Sequence, residues 1–207
     1  MISDEQIKQA LVKAVISFYQ KESRLVDDGV CERAIVGRIL LYLAQKIKRL
    51  RYGYEVFTEF NRMYEGVDNH AMVKLLDSEN GKKIKVYPDI LVLKCNNDMT
   101  PCENILVVEA KKFDNASFSA LKSDKTKLKI FTEVFSETIS FQRCFGYQIG
   151  AHLFFDMNRF VILWYKNGEP TEEVIFTKNG NHFDHETRDF VYSNYYYDKR
   201  QHELKLN

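Results

Sequence analysis

Residues 4 to about 20 set Ile7, Leu11, Ala14, Val15 and Phe18 three and four positions apart, the spacing of one helix face. This predicts an amphipathic helix. A polar break, KESRLVDDG, follows. Next comes CERAIVGRILLYLAQKIKRLRYG, with Ile35, Ile39, Tyr42, Leu43 and Ile47 as one apolar stripe, basic last turns and Gly53 as a stop signal. It predicts the strongest helix in the chain. YEVFTEFNRM is β-branched and aromatic and predicts a strand. DNHAMVKLLDSENGKK predicts a loop, with a hairpin around Asn80-Gly81 as the alternative.

IKVYPDILVLK and ENILVVEAK predict two more strands. Neither alternates cleanly, which predicts burial on both sheet faces. Pro88 suits the beginning of a strand better than a central paired position. KSDKTKLKIFTEVF and SETISFQRCFGYQIGAHLFFD predict helices, and RFVILWYKNG with EEVIFTKNG predicts a closing hairpin or strand pair. The aromatic and charged tail from His185 onward is placed only loosely. The order is helices, three strands, helices, then one or two strands. It defines an α/β domain in which helices cover a small mixed central sheet.

Composition narrows the class. The chain has 207 residues, 45% hydrophobic, 29% charged and 14% aromatic, with few Gly and Pro. That describes one folded domain with a substantial core and excludes a disordered chain. Thirty basic and 29 acidic residues leave a net charge of +1, which neither demands nor excludes a nucleic-acid partner. The first residues lack a basic region followed by an apolar core, so no signal peptide is expected. No run reaches the roughly 18 apolar residues of a membrane span. Cys31, Cys95, Cys102 and Cys144 form no CxxC pair. They predict buried free thiols in a reducing cytoplasm, and their spacing does not suit zinc.

The candidate chemistry lies in YPDILVLKCNNDMTPCENILVVEAKK. Glu109 and Lys111 are two apart on a strand, so they share a face with Ile105 and Val107. If the preceding strand pairs with theirs, Asp89 sits beside Glu109. Two adjacent carboxylates repel unless one takes a proton or a cation lies between them. A hard divalent ion, Mg²⁺ or Mn²⁺, is the natural candidate. Lys111 beside it can orient or deprotonate a water and stabilise an anion. That combination suits attack of a metal-activated water on a phosphodiester.

Pro88-Asp89, followed after nineteen residues by Glu109-Ala110-Lys111, resembles the motif of the PD-(D/E)XK nuclease superfamily, which has the restriction-endonuclease-like fold. The family core, a helix, three strands, a helix and a strand, is similar to the order above. Many members carry a glutamate on the first core helix, where Glu32 stands. In small bacterial members that helix leads to a strand ending in an EYNR-like sequence, and here TEFNR supplies Glu59, Asn61 and Arg62. Asp124, the KTKL run and FGYQIG also look similar. The resemblance covers about residues 25 to 166, with a helix in residues 1–24 before it and an extension in 167–207 after it, all in a single domain.

The resemblance implies Mg²⁺-dependent cleavage of DNA, less often RNA. It implies Asp89, Glu109 and the Ala110 backbone carbonyl as metal ligands, Lys111 as catalytic lysine and Glu32 as accessory carboxylate. A homodimer is also in keeping with the family. The QxxxY pattern of RecB-like exonucleases is not matched, because Gln142 and Tyr147 are five apart.

Plainer readings stand beside these. Asp89 is also a turn residue after proline. Glu109 and Lys111 also suit a solvated strand end, and Glu59 with Arg62 a structural ion pair. Lys122, Lys125, Lys127 and Lys129, like Lys46, Lys48, Arg49 and Arg51, suit solvated helix faces. The former group and Arg62 are the candidates for nucleic-acid contact. The five histidines show no ligand spacing, and His182 and His185 fall in a Gly/Asn-rich turn. Gly146 and Gly150 suit close helix-sheet packing. An idle nuclease-like domain that binds nucleic acid or an assembly partner is the alternative function. Another metal-dependent phosphotransfer or hydrolase chemistry on the same residues is a third.

Overall fold

The computed structural model describes residues 2–58, 62–64, 71–73, 75–77, 83–94, 103–113, 117–133, 146–180 and 182–189. The helices are α1 (Asp4–Glu22), the single turn α2 (Arg24–Asp27), α3 (Glu32–Leu50) and α4 (Phe118–Thr132). The strands are β1 (Glu55–Phe57), β2 (Arg62–Tyr64), β3 (Ala71–Val73), β4 (Leu75–Asp77), β5 (Lys83–Lys85), β6 (Ile90–Lys94), β7 (Glu103–Lys112), β8 (Ile149–Phe155), β9 (Arg159–Lys166), β10 (Glu169–Asn179) and β11 (His182–Asp189).

Local chemistry starts the helices. Ser3 and Gln6 form a reciprocal capping box ahead of α1. The Ser117 side chain accepts from Ala120 N–H at the start of α4. Helix α3 starts differently. Cys31 occupies its cap position without a side-chain bond, and Glu32 supplies the acid of the first turn. Cys31 is exposed, which corrects the expectation of a buried thiol. Cys95, Cys102 and Cys144 lie outside the described residues.

One seven-stranded mixed sheet, in the order β1-β6-β7-β8-β9-β10-β11, organises the molecule. It is larger than the small sheet expected. The pairs are antiparallel except β7 with β8, which run parallel and are joined through α4. Two short pairs, β2-β3 and β4-β5, are separate sheets. The expected strand YEVFTEFNRM is thus split between two sheets. The expected loop holds β3, β4 and the first residue of β5, and its hairpin alternative matches the β4-β5 pair.

Helices α1 and α3 cover one sheet face. Their stripes, including Leu11, Val15, Ile35 and Ile39, meet Val92, Val108, Leu153, Ile162 and Trp164. Helix α4 covers the other face, where Leu128 and Phe131 meet Leu91, Val107, Leu163 and Tyr165. The three-layer arrangement explains why the central strands lack alternation: both of their faces are buried.

The same physics accounts for the main correction. IGAHLFF, expected in a helix, is strand β8, buried along its whole length. A short continuous apolar run has no period that separates a buried strand from a buried helix. The loosely placed tail likewise begins in β11, which holds His182 and His185 exposed on a strand rather than in a turn. A bulge skips Ile105 in the β6-β7 register. Ile105 therefore joins the core on the α1-α3 side and does not share a face with Val107 as expected. No helix among the described residues is long and apolar enough to cross a membrane.

Candidate active site

Strand β7 outruns its neighbour β6. Their ladder reaches Ile90 opposite Val108, while β7 continues to Lys112. On its other side β7 stays paired with β8 as far as Lys112 opposite Phe155. The end of β7 therefore has one open edge. In a strand the N–H and C=O of one residue point to the same edge, and the next residue points to the other. Ala110 and Lys112 face the open edge, and carboxylates take both of their N–H groups. Asp89 Oδ2 accepts from Ala110 at 2.7 Å, and Glu32 Oε2 accepts from Lys112 at 2.9 Å. The Ala110 carbonyl faces this edge as well. The Thr58 hydroxyl donates to the Asp89 carbonyl at 2.9 Å and anchors the approach to β6.

Side chains of Glu109 and Lys111 alternate onto the α4 face. Lys111 Nζ donates to Glu32 Oε1 at 3.0 Å and lies 3.6 Å from Asp124 Oδ2. Helix α4 turns Leu121, Asp124, Leu128 and Phe131 inward at helical spacing, so Asp124 is an acid in an apolar stripe, only 3% exposed. One turn on, Lys127 Nζ donates to Asp124 Oδ1 at 2.7 Å and to Glu109 Oε2 at 3.1 Å. His152 lies on β8 in register with Glu109. Its ring is fully buried against Phe154, and its Nε2 is 3.9 Å from Asp124 Oδ2. Glu109 Oε1, Asp124 Oδ2 and both ring nitrogens of His152 are buried without a hydrogen-bond partner.

Four carboxylates, of Glu32, Asp89, Glu109 and Asp124, thus converge with two ammonium groups. Burial pushes the Asp89 carboxyl up to about 6; the Ala110 N–H and Lys111 oppose this, while Asp124 and Glu32 add to it. Burial also raises Glu109 well above the ordinary carboxyl range; Lys127 opposes, while Asp89 and Asp124 reinforce. Burial pulls Lys111 down, but Asp124, Glu32 and Asp89 outweigh it and the ammonium is held more firmly than usual. Lys127 is raised in the same way, with Glu109 and Asp124 overcoming its burial. Burial drives His152 down to about 3, against the pull of Asp124, so its imidazole is neutral.

Among the described residues, no three His, Cys, Asp or Glu side chains close around a common centre as a ready ligand set. The open edge offers a smaller set: Asp89, Glu109 and the Ala110 carbonyl. A hard ion that keeps several of its waters needs only one or two carboxylates from a protein, so Mg²⁺ or Mn²⁺ fits. The buried, unpartnered Glu109 Oε1 is the atom that fits best, because a cation there would relieve its repulsion with Asp89.

Asp89, Glu109, Ala110, Lys111 and Glu32, singled out from the sequence, are brought together. Lys127 is not on a solvated helix face but turned into the acid cluster. Lys122 remains exposed on α4 and Lys125 is partly buried. Arg62 begins β2, in a small sheet apart from the main one. Glu59 and Asn61 lie outside the described residues. Sequence reasoning assigned no chemical role to Asp124 or His152. The signal for Asp124 was available, as an acid spaced with Leu121, Leu128 and Phe131. A lone histidine within an apolar run offered none. No family model, no curated protein and no solved structure matches the chain.

Proposed function

We propose that the protein is a metal-dependent nuclease of the PD-(D/E)XK kind, hydrolysing phosphodiester bonds of nucleic acid, in particular DNA. One observation carries the reading. Asp89, Glu109, Lys111 and Glu32 come from distant segments and meet at the open end of β7, where a buried Glu109 oxygen has no partner. The order α3, β1, β6, β7, α4, β8, with β1-β6-β7-β8 adjacent, is in keeping with a restriction-endonuclease-like core carrying added strands.

Asp89, Glu109 and the Ala110 carbonyl would hold Mg²⁺ or Mn²⁺. When bound, the ion would acidify a water and neutralise charge on the phosphodiester. The residues of the chain supply the rest. Asp89 is pinned by the Ala110 N–H, so its carboxylate is oriented before any ligand arrives. Glu32 and Asp124 hold Lys111 as an ammonium. In that state it suits orienting and neutralising a phosphate oxygen.

Calorimetric titration with Mn²⁺ tests the ligand set. Binding is expected in the wild type and lost in Asp89→Asn and Glu109→Gln. With Mg²⁺ or Mn²⁺ present, Lys111→Met should cut cleavage of labelled DNA by about 100-fold or more while keeping metal binding. Intact single-stranded, double-stranded and structured DNA and RNA after incubation with wild type would sink the nuclease reading. The idle-domain reading has one observation in its favour: Lys127 already neutralises Glu109 and Asp124. Salt-sensitive binding of nucleic acid without turnover would select it.

A further inference from the structure

Glu109 divides its two oxygens. Oε2 accepts from the Lys127 ammonium at 3.1 Å, and Oε1 is buried without a partner. Asp124 also divides its oxygens, with Oδ1 on Lys127 at 2.7 Å and Oδ2, without a hydrogen bond, 3.6 Å from the Lys111 ammonium and 3.9 Å from His152 Nε2. The two carboxylates are only 2% and 4% exposed, and the lysine side chain between them only 22%. This is no surface ion pair. A carboxylate with one oxygen on each of two cations is the arrangement that a two-metal hydrolytic site uses to hold its ions close together.

We propose that the Lys127 ammonium is a resident cation of the site, filling the inner position between Glu109 and Asp124, so that the protein seats a single divalent ion at Asp89 and Glu109. The proposal rests on the reading of Asp89 and Glu109 as metal ligands. Lysine is suited to this place. Lys127 follows Asp124 by three residues on α4, so one helix delivers both the acid and its counter-charge. An ammonium carries one positive charge and three donors, which match the facing oxygens of Glu109 and Asp124. It neutralises charge, but it has no empty orbital for a water oxygen and so cannot acidify a water by coordination as a metal ion does. The division of labour follows: the open edge takes the ion that activates water, and the inner position holds a fixed charge that never dissociates. Without the ammonium, the facing carboxylates of Glu109 and Asp124 would lose their counter-charge, and the uncompensated negative charge would draw in another cation.

The experiment is the Mn²⁺ stoichiometry of the full chain, read by calorimetry and by electron paramagnetic resonance of free and bound Mn²⁺. Wild type is expected to bind a single Mn²⁺ per chain. Lys127→Met removes the charge at similar length and is expected to admit a second Mn²⁺. Lys127→Arg restores a cation and is expected to return the count to one. Two ions in the wild type would overturn the proposal without any variant, so it survives a failure of Lys127→Met to fold. A folded Lys127→Met that still binds one ion with unchanged affinity would also overturn it, with the ligand role of Asp89 and Glu109 intact. No binding by the wild type would overturn both.

Discussion

Buried titratable groups around Glu109 pull the stability of the protein in opposite directions as pH changes. His152 has a folded value of about 3 against an ordinary 6.5. Between those values the unfolded chain binds a proton that the folded chain refuses. Its contribution is therefore full above pH 6.5 and lost as pH falls, by at most about 1.4 kcal/mol per pH unit. Asp89 has a folded value of about 6 against an ordinary 3.8. In that window the folded chain binds the extra proton, so stability rises as pH falls through about 6. Glu109 shifts in the same direction as Asp89. The two trends offset in the wild type and separate in variants. Urea denaturation in EDTA between about pH 4 and 6.5 should show His152→Gln gaining stability toward acid relative to wild type. Asp89→Asn should lose it. Superimposable pH slopes for the two variants would show that these groups are not buried as described.

Single elements depend on close approach. Gly150 in β8 lies under α4, and a Cβ there would meet Thr132 Cγ2 at 2.9 Å, Tyr165 Cβ at 3.1 Å and Leu128 Cδ2 at 3.3 Å. Gly150→Val should therefore destabilise the fold by about 1–3 kcal/mol through overpacking, seen as a lower urea midpoint. Gly146 belongs to the same GxxxG spacing, but a Cβ added to it would meet nothing within 4 Å; its requirement is a positive φ of 59°.

That contrast shows what was legible in the sequence. Strong helical stripes in α1 and α3 declared themselves, and so did β7, whereas IKVYPDILVLK, read as one strand, divides into β5 and β6 in different sheets with Asp89 between them. Proximity of Asp89 to Glu109 followed from simple strand pairing. Strand β8 did not declare itself, because burial on both faces erases its period. His152 was hidden for the same reason. Asp124 had a signal in its spacing with Leu121, Leu128 and Phe131, but Lys127 had none: only the depth at which α4 lies on the sheet turns it from a surface charge into a neighbour of Glu109.

At the scale of the molecule, the described segments flanking residues 25–166 are structural. Helix α1 buries Ile7, Leu11, Val15, Phe18 and Tyr19. The Tyr19 hydroxyl is shared between the carbonyls of Asp156 and Arg159, which ties α1 to the β8-β9 turn. Lys8 pairs with Glu172, and Lys166 with Asp4, across more than 160 positions of sequence. Strand β10 extends the sheet beyond β9 and stacks Phe176 on Phe160. A fragment of residues 25–166 would expose one side of the α3 layer and the β9 edge together. It should be recovered aggregated or without a cooperative melt, whereas the full chain should melt in a single step by circular dichroism.

The open end of β7 has a consequence apart from chemistry. A long strand with unmet N–H groups is a template for another chain, and many sheets protect such edges with charge. Here Asp89 and Glu32 lie along the edge where β6 gives out and occupy its Ala110 and Lys112 donors. The acids that fit a cation also keep the sheet from growing. A variant lacking both would acquire a sticky margin, and its self-association would come from the backbone rather than from any apolar patch.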